Sequence, residues 1–482
     1  MKSLVFKNFI INALGILFSR ILGLARDVLI ALFLGAGLYS DIFFVALKMP
    51  AFFRRIFAEG AFGQSFLPNF VKAKKKGAFC VSVMMQFSLI VFYFVFWVFF
   101  PLFLLSFLLL GLNADTIALA APLVAINFWY LFFIFLVTFL GAILNYRQKF
   151  FITSFSAALF NLSIVIAAFF VDKNTPQNTL YYFSYATVLS GVAQLILHLL
   201  VLKNNPVIRA MTLSIKFKKT KAKLQGFYGN FFHGVLGSSA TQFSSLLDTT
   251  IASFLMSGSI SYLYYANRVF QLPLALFAIA LTQVSFPKIL KHLKSDQENL
   301  ALKFMQRALA LLSILLIASS IVGSVFALEI SKLLFERGNF THEDSVITAY
   351  VLIAYLIGLL PFGLQKLFSL WLYAKFKQKT AAWIAVKSLI ISALCSMAFI
   401  FLIKDESLKV IAVALSSSIS AFYLLGANIK EFGFKKFFAL ISIKICLLVI
   451  VALIVFTILL ILIKPYILSF FIGIFTSFKG VF

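Results

Sequence analysis

Long apolar stretches alternate along the chain with short connections that contain charged residues, Pro or Gly. Stretches of about 20 apolar residues are typical of helices that cross a membrane. We predict helices rather than a β-barrel, because the stretches lack the alternation of apolar and polar residues found in barrel strands. The pattern predicts fourteen spans, the last of them short, near residues 5–33, 40–68, 79–110, 117–143, 152–171, 180–202, 228–256, 262–286, 304–332, 345–374, 381–403, 409–428, 438–463 and 465–479.

The composition agrees with a membrane protein that crosses the bilayer many times. Hydrophobic residues make up 62% of the 482 residues and charged residues 12%, with a mean hydropathy of +1.05. Soluble domains contain about 25% charged residues, so a soluble enzyme, a disordered protein and a small disulfide-bonded scaffold are excluded. The N-terminus resembles a signal peptide, but Arg20 and Arg26 follow within its apolar stretch and no typical cleavage site appears. We therefore predict a retained first helix.

The charges are strongly unequal and unevenly placed. Lys and Arg number 42 against 15 Asp and Glu, a formal net charge of +27. With the N-terminus inside, most cations fall in inner connections, including the basic segments 72–76 and 203–223. The outer connections contain Lys173, Arg337, Lys404, Lys409 and Lys464. This bias predicts that both termini are cytoplasmic and that the inner face attracts anionic membrane lipids, so nucleic acid is not needed as a partner.

An internal repeat predicts two related lobes. Residues 27–40 and 248–261 share seven of fourteen residues at an offset of 221. Six spans separate the copies, so both have the same topology, as in transporters with parallel repeats. We predict an N-terminal lobe of six helices at 1–203, a basic cytoplasmic linker at 204–227, a C-terminal lobe of six helices at 228–431 and two additional helices at 432–482.

Arginines within the spans are the main candidates for a substrate-binding site. A charge near the centre of a membrane costs about 2.5–3.5 kcal/mol, so such residues usually have a function. The arginines are Arg20 and Arg26 in the first span, Arg54 in the second and Arg268 in the eighth. A guanidinium group suits phosphate or carboxylate. We predict that this set is unpaired and forms a cationic cavity between the lobes for an anionic substrate.

Other polar residues of the same spans are expected to support these arginines. They are Asp27, Asp41, Lys48, Arg55 and Glu59 in the first two spans, and Asn267 and Gln271 beside Arg268. Structural pairing of an arginine with one of the acids is the alternative for each, and the spacing of Arg55 and Glu59 favours an ion pair. Gly23 predicts a bend in the first span, and Pro50 and Gly60 predict a break in the second.

Metal and enzyme chemistry have little support in the sequence. The three cysteines and four histidines are scattered without the spacing of metal ligands. An intramembrane enzyme, such as a glycosyltransferase, would need acids or histidines on the reaction side. The candidates are Glu336, His342, Glu343 and Asp344, which we interpret as one solvated outer loop.

Several segments resemble the MurJ (MviN) family, the bacterial lipid II flippases of the multidrug/oligosaccharidyl-lipid/polysaccharide exporter superfamily. They are SRILGLARDVLIALFLGAG, DIFFVALKMPAFFRRIFAEGAFGQSFLPNF, SYLYYANRVFQLPLALFAIAL, LLFERGNFTHEDS and LYAKFKQKT. The resemblance implies fourteen helices, two six-helix lobes and two C-terminal helices that carry a groove for the polyprenyl tail. It also implies that Arg20, Arg26, Arg54 and Arg268 line the central cavity, and that Asp41, Lys48 and Glu59 match further polar positions.

The sequence departs from the family pattern at two kinds of position. Asn267 stands where Asp is frequent, and Gln271 where some members have an acid. Some members are thought to bind sodium between helices 7, 11 and 12, where this chain offers Asp248 but no acid in spans 11 and 12. Lys387 is therefore a candidate to replace the ion by pairing with Asp248.

These features predict a transporter rather than an enzyme. The expected substrate is lipid II, whose diphosphate would bind among the arginines while the lobes alternate access. The alternatives are a flippase for another polyprenyl-diphosphate-linked glycan, or a multidrug exporter, although an exporter of cations would require an acidic cavity. We expect a monomer in the bacterial cytoplasmic membrane without a cofactor. The coupling to Na⁺, H⁺ or the membrane potential stays open.

Overall fold

The computed structural model describes residues 2–55, 62–96, 111, 113–147, 149–171, 175–218, 222, 224–295, 297–375, 377–441 and 453–466. These residues form helices joined by short connections and include no strand. The predicted all-helical fold is thereby confirmed. A helix satisfies its backbone hydrogen bonds internally, which is what hydrocarbon surroundings require.

The chain divides into two compact units, which do not follow its order strictly. Unit 1 comprises Met1–Ser261 and Phe335–Asp344, and unit 2 comprises Tyr262–Leu334 and Ser345–Phe482. The helices of unit 1 are α1 (Lys2–Leu34), α2 (Leu38–Phe53), α3 (Gly63–Lys72), α4 (Lys76–Phe96), α5 (Ala114–Tyr146), α6 (Phe150–Ala167), α7 (Pro176–Leu202), α8 (Pro206–Lys216) and α9 (Gln225–Ser253).

The remaining helices belong mainly to unit 2. They are α10 (Ser259–Pro273), α11 (Ala280–Lys294), α12 (Glu298–Val325), α13 (Ala327–Phe335), α14 (His342–Ile357), α15 (Leu359–Ala374), α16 (Gln378–Leu402), α17 (Lys409–Phe432), α18 (Phe434–Leu440) and α19 (Leu453–Tyr466). Grouping by contacts places α9 in unit 1. The division of the chain into two six-helix lobes with a linker at 204–227 stays a prediction.

Eight helical segments within the described residues are long and apolar enough to cross a membrane. They are Lys76–Tyr93, Ala114–Tyr146, Phe151–Phe170, Pro176–Leu202, Glu298–Val325, His342–Ala374, Lys379–Leu402 and Glu406–Phe432. Several of the fourteen predicted spans include residues outside the described part, among them 97–110, 442–452 and 467–482. The count of fourteen therefore stays a prediction.

Two of the predicted spans change from α-helical to π-helical geometry. In the second, α2 contains Pro50, ends at Phe53 and passes into a π-helical turn at residues 54–55, and the next described helix begins at Gly63. In the eighth, α10 ends at Pro273 and a π-helix, Leu274–Ile279, follows. Proline cannot donate a backbone hydrogen bond, which favours such irregular turns. π-Helical turns are frequent at functional sites. The candidate Arg54 lies in the first π-helical turn, and Arg268 lies in the α-helix that precedes the second.

Aromatic side chains dominate the core of unit 1. Phe62 stacks on Phe66 with their ring centroids 5.4 Å apart, and Phe87 stacks on Phe135 at 5.2 Å. Phe227 of α9 packs against both Phe62 and Phe87. Lipid provides no hydrophobic driving force between helices, so close packing contacts of this kind hold them together. This cluster accounts for part of the unusually high phenylalanine content.

Helices α5 and α7 pack side by side and run in the same direction. Asn127 of α5 lies opposite Ser184 of α7, and Gly141 lies opposite His198, so facing residues are 57 positions apart in both pairs. Between them, Gly191 of α7 lies against α5. A Cβ atom at Gly191 would lie 2.9 Å from Phe133 Cβ. The glycine therefore permits the close approach that fixes the middle of α5.

Unit 2 contains an equally tight contact between α14, α15 and α17. Ser418 Oγ donates a hydrogen bond to the carbonyl oxygen of Ala354 at 2.6 Å. Gly358, which precedes α15, lies so close that a Cβ atom there would be 2.6 Å from Ser418 Oγ. Small residues at such crossings are the usual solution for helices packed in lipid.

Candidate functional site

Arg26 and Asp27 of α1 form a buried ion pair. Arg26 Nη2 lies 2.7 Å from Asp27 Oδ1, and Arg26 Nε donates to the same oxygen at 3.0 Å. Arg26 Nη1 donates to Asn161 Oδ1 of α6 at 2.9 Å, and the Arg26 guanidinium lies over the Phe160 ring, 5.3 Å from its centroid. The expectation that Arg26 is unpaired was therefore wrong. Burial explains the difference, since an uncompensated charge in such surroundings is costly.

Arg20 is differently placed on the same helix. Its side chain is exposed, while those of Arg26 and Asp27 are buried. Helix α1 runs through Gly23 without interruption, and a Cβ atom at Gly23 would lie 3.3 Å from Asn161 Nδ2. Gly23 thus provides room for Asn161, whose Nδ2 donates to the Ser19 carbonyl oxygen at 2.8 Å.

Arg54 lies in the π-helical turn after α2 and reaches helix α5. Its Nη1 donates to Tyr130 Oη at 3.0 Å, and the side chain is half-buried. Arg55 points elsewhere, with its Nη1 3.4 Å from Gln242 Oε1 of α9. The predicted pair of Arg55 with Glu59 lies outside the described residues, because Glu59 is not among them.

Asp41 and Lys48 of α2 share a helix face but have separate partners. Asp41 Oδ2 accepts from the Gly258 amide at 2.7 Å, and Asp41 Oδ1 accepts from the Ser261 amide at 2.8 Å and from Ser261 Oγ at 2.5 Å. The carboxylate thus caps the first turn of α10, where orphan amides and the helix dipole favour an anion. Lys48 Nζ donates to Thr249 Oγ1, and the neighbouring Asp248 attracts it electrostatically.

Ser40 and Ser261 occupy equivalent positions of the sequence repeat, since they are 221 residues apart. Their hydroxyl oxygens lie 2.8 Å apart, and both residues are fully buried. The two copies of the repeat thus touch at equivalent serines, and the parallel arrangement of the lobes stays a prediction.

The candidates of unit 2 lie on α10 and α16. Arg268 Nη2 donates to Tyr264 Oη at 2.5 Å, and its guanidinium lies 4.7 Å from the centroid of the same ring. Gln271 donates to Asn267 one helical turn earlier, and Gln271 is exposed. Lys387 is exposed on α16. Its pairing with Asp248 stays a prediction.

The acidic segment that was predicted to form an outer loop is engaged in local contacts, and its residues from His342 onward belong to α14. His342 Nδ1 lies 3.2 Å from Glu336 Oε2, and Asp344 accepts from the Thr341 amide at 2.8 Å. Asn339 in the same loop binds the end of α1, with its amide donating to the Leu32 carbonyl oxygen at 3.0 Å. Within the described residues no cluster of His, Cys, Asp and Glu has the geometry of a metal site. The loop thus has a structural role that the sequence did not indicate.

Three residues beside the arginines were missed by the sequence analysis. Tyr130, Phe160 and Asn161 carry no charge and lie within apolar spans, so charge-based reasoning passed over them. Asn161 had one available signal, because an amide in a lipid-spanning helix must find a partner. Tyr130 and Phe160 had none, because the chain contains 16 Tyr and 62 Phe.

Comparison with known proteins gives a consistent result. The sequence matches the family described as "Lipid II flippase MurJ" over residues 30–478. A Helicobacter pylori protein named "Probable lipid II flippase MurJ" is 47% identical over 423 residues, which cover 85% of this chain and 91% of the relative. A Haemophilus influenzae protein of the same name is 31% identical, covering 89% of this chain and 88% of the relative.

Solved structures agree with the sequence relatives. The structure titled "Lipid II flippase MurJ, inward closed conformation" is similar with a TM-score of 0.76 and 26% identity, covering 95% of this chain and 98% of that one. An inward-facing multidrug resistance MATE family transporter of the MOP superfamily has a TM-score of 0.68 at 14% identity, covering 87% of this chain and 96% of that one. The second similarity is one of fold alone.

Proposed function

Because the chain belongs to the MurJ family of lipid II flippases, we propose that it moves lipid II from the inner to the outer leaflet of the bacterial cytoplasmic membrane. The observation that carries this function is the family match over residues 30–478, together with relatives at 47% identity. Lipid II carries an anionic diphosphate on a polyprenyl chain, so the protein must offer cations to the head group while the chain remains in lipid.

The arginines supply those cations in the proposed mechanism. Arg54 and Arg268 are half-buried, and each guanidinium donates to a tyrosine hydroxyl, at Tyr130 and Tyr264. A neutral phenol orients a guanidinium without cancelling its charge, and a guanidinium is the side chain best suited to bind phosphate. Arg20 is exposed and belongs to the same set. Arg26 was predicted to belong to it as well, but Asp27 and Asn161 already occupy several of its nitrogen atoms.

Closure on the outer side is proposed to depend on Asp41. Its carboxylate binds Gly258 and Ser261 of the second repeat copy, and Ser40 touches Ser261. Release of these hydrogen bonds would accompany opening toward the outside.

The surroundings of the protein follow from its basic inner face. We propose a monomer with both termini in the cytoplasm and with anionic lipids against that face. The exposed Arg209 and Lys216 of α8 support this orientation, since α8 belongs to the basic segment between the predicted lobes. We propose that Na⁺ or H⁺ entry, or the membrane potential, drives transport, with Asp248 as the ion-binding residue. Sodium dependence that survives both Asp248→Asn and Lys387→Met would remove these two residues from the coupling site.

Complementation tests the function directly. The chain is expressed in cells depleted of their own lipid II flippase, and lipid II exposed on the outer surface is measured. Wild type is expected to restore exposure and growth, whereas Arg54→Ala and Arg268→Ala abolish both. Arg209→Ala is the matched control, because it removes the same charge from an exposed linker helix. Failure of the wild-type chain at normal membrane abundance, or rescue restricted to another polyprenyl-diphosphate-linked glycan, contradicts the proposal.

A further inference from the structure

A continuous stack of side chains connects Arg26 to Arg54 within unit 1. The Arg26 guanidinium lies over the Phe160 ring, 5.3 Å from its centroid. The Phe160 and Tyr130 ring centroids are 5.4 Å apart, and Tyr130 Oη accepts from Arg54 Nη1 at 3.0 Å. The stack thus joins α1, α6, α5 and the turn after α2 through a cation on a ring, two rings in contact and a hydrogen bond.

The Arg26 end of the stack is buried and held by several protein partners. Arg26 is 5% exposed and Asp27 is 2% exposed, and the two form an ion pair. Arg26 also donates to Asn161, which in turn donates to the Ser19 carbonyl oxygen of α1. An arginine with this degree of burial and so many protein partners is a poor primary contact for a lipid head group.

The middle of the stack is equally constrained. Tyr130 is 3% exposed, and a Cβ atom at Gly191 of α7 would lie 3.1 Å from Tyr130 Cδ2. Phe160 directly precedes Asn161, so its backbone is tied to α1 by the Asn161 hydrogen bonds. The ring of Tyr130 is therefore held from two sides, and its hydroxyl presents a fixed acceptor to Arg54.

The Arg54 end is the part of the stack whose side chain must be oriented for binding. Arg54 is half-buried and lies in a π-helical turn rather than within a regular helix. A long arginine side chain has high rotamer entropy, so a preset direction favours binding of a bidentate anion. The fixed Tyr130 hydroxyl accepts a hydrogen bond from Arg54 and supplies that direction without neutralising the positive charge of the guanidinium.

We propose that Arg26, Phe160 and Tyr130 are positioning residues that act through one another to hold Arg54 in its phosphate-binding orientation. The inference rests on the proposed function of Arg54 and gives Arg26 a different role, since Arg26 supports the stack instead of contacting the diphosphate. Phe160 is its central element, because its ring meets both the Arg26 guanidinium and the Tyr130 ring.

Binding of lipid II to the purified full-length chain in nanodiscs tests the stack by double-mutant cycles. Tyr130→Phe removes only the hydroxyl and is expected to weaken binding roughly tenfold, the usual size for a hydrogen bond to a charged group. Phe160→Leu and Arg26→Lys are expected to weaken binding as well. Phe160→Tyr, which keeps the ring, retains most of the wild-type affinity.

The decisive comparison is between pairs of variants. If Arg26 acts through Phe160, then Arg26→Lys adds no further loss in a Phe160→Leu background. Arg20→Lys is the control from the same helix, because Arg20 is exposed and outside the stack, and its effect should multiply with that of Phe160→Leu. If the losses of affinity caused by Arg26→Lys and Phe160→Leu multiply fully in the double variant, the proposal is overturned. That result would indicate a direct and independent contact of Arg26 with the head group.

Two further controls separate positioning from a loss of folding. Tyr146→Phe removes a hydroxyl from the exposed end of the same helix, α5, where it contacts Lys76. Phe155→Leu removes a ring from α6 that stacks on Phe18 and Phe151. Both should leave binding unchanged. Absence of lipid II binding by the wild-type chain would refute the proposed function, whereas wild-type binding that is lost with Arg54→Ala but kept with Tyr130→Phe and Phe160→Leu would refute the stack alone.

Discussion

Asp41→Asn is expected to weaken the closure on the outer side while leaving the fold intact. The carboxylate accepts from the Gly258 amide at 2.7 Å, the Ser261 amide at 2.8 Å and Ser261 Oγ at 2.5 Å. An asparagine has one acceptor oxygen, so its NH₂ group must face at least one of these donors. Losing one hydrogen bond to a charged acceptor and leaving a buried donor without a partner costs about 2–4 kcal/mol.

That free energy acts on the equilibrium between closed and open states if the hydrogen bonds exist only in the closed one. A change of about 2–4 kcal/mol then shifts the population toward the outward-open state roughly 30- to 700-fold. The shift can be measured with a cysteine at Ser259, which is fully buried in this structure. In a variant without natural cysteines, Ser259→Cys should react slowly with a membrane-impermeant thiol reagent from outside, and much faster when combined with Asp41→Asn.

Asp115→Asn is the matched control, because it makes the same chemical change at an exposed acid in the first turn of α5. Its labelling rate should equal that of the parent. Equal and slow labelling in the Asp41→Asn variant, at normal membrane abundance, would refute the role of Asp41 in outer closure. Labelling that increases equally in both variants would point to general loosening instead.

Three further substitutions test other contacts by thermal unfolding in detergent. Asn339→Ala removes the side-chain hydrogen bond from Asn339 Nδ2 to the Phe33 carbonyl oxygen and should lower the free energy of unfolding by about 1 kcal/mol; no decrease would show that this side chain does not support the end of α1. Gly358→Ala introduces a Cβ atom 2.6 Å from Ser418 Oγ and should destabilise by about 1–3 kcal/mol, whereas Gly426→Ala, with nothing within 4 Å, should not. Glu298→Gln removes the partner of two lysines at an exposed site, so the loss should be at most about 1 kcal/mol and should vanish at high salt.

The sequence predicted the helical class and named candidate residues for the site, but it did not indicate the partners of those residues. Intramembrane charges are rare and costly, so Arg54 and Arg268 stood out without any structure. Pro50 pointed to irregular backbone near Arg54, because proline disrupts a helix in a known way, and Arg54 lies in a π-helical turn. The partner Tyr130 lies 76 residues away on another helix. Such a contact depends on how helices pack, which hydrophobic periodicity leaves undetermined when nearly every residue of a span is apolar.

Arg26 shows why local pairing was misjudged. Pairing of each arginine with an acid of these spans was the alternative, but neighbouring residues on a helix point about 100° apart, so spacing alone did not single out Asp27 as the partner of Arg26. The long arginine side chain nevertheless folds back onto the Asp27 carboxylate, because burial of both groups makes separate charges too costly. The rule for exposed helix surfaces therefore fails inside a helix bundle, where desolvation outweighs ideal geometry.

The repeat also limits how symmetric the binding site can be. Asp27 and Asp248 are equivalent positions of the two copies, yet Arg26 neutralises the first while Leu247 stands in the equivalent place before the second. Asp248 instead lies beside Lys48, which belongs to the first copy. A duplicated backbone thus carries unequal charges, with the arginine-rich helix on one side only.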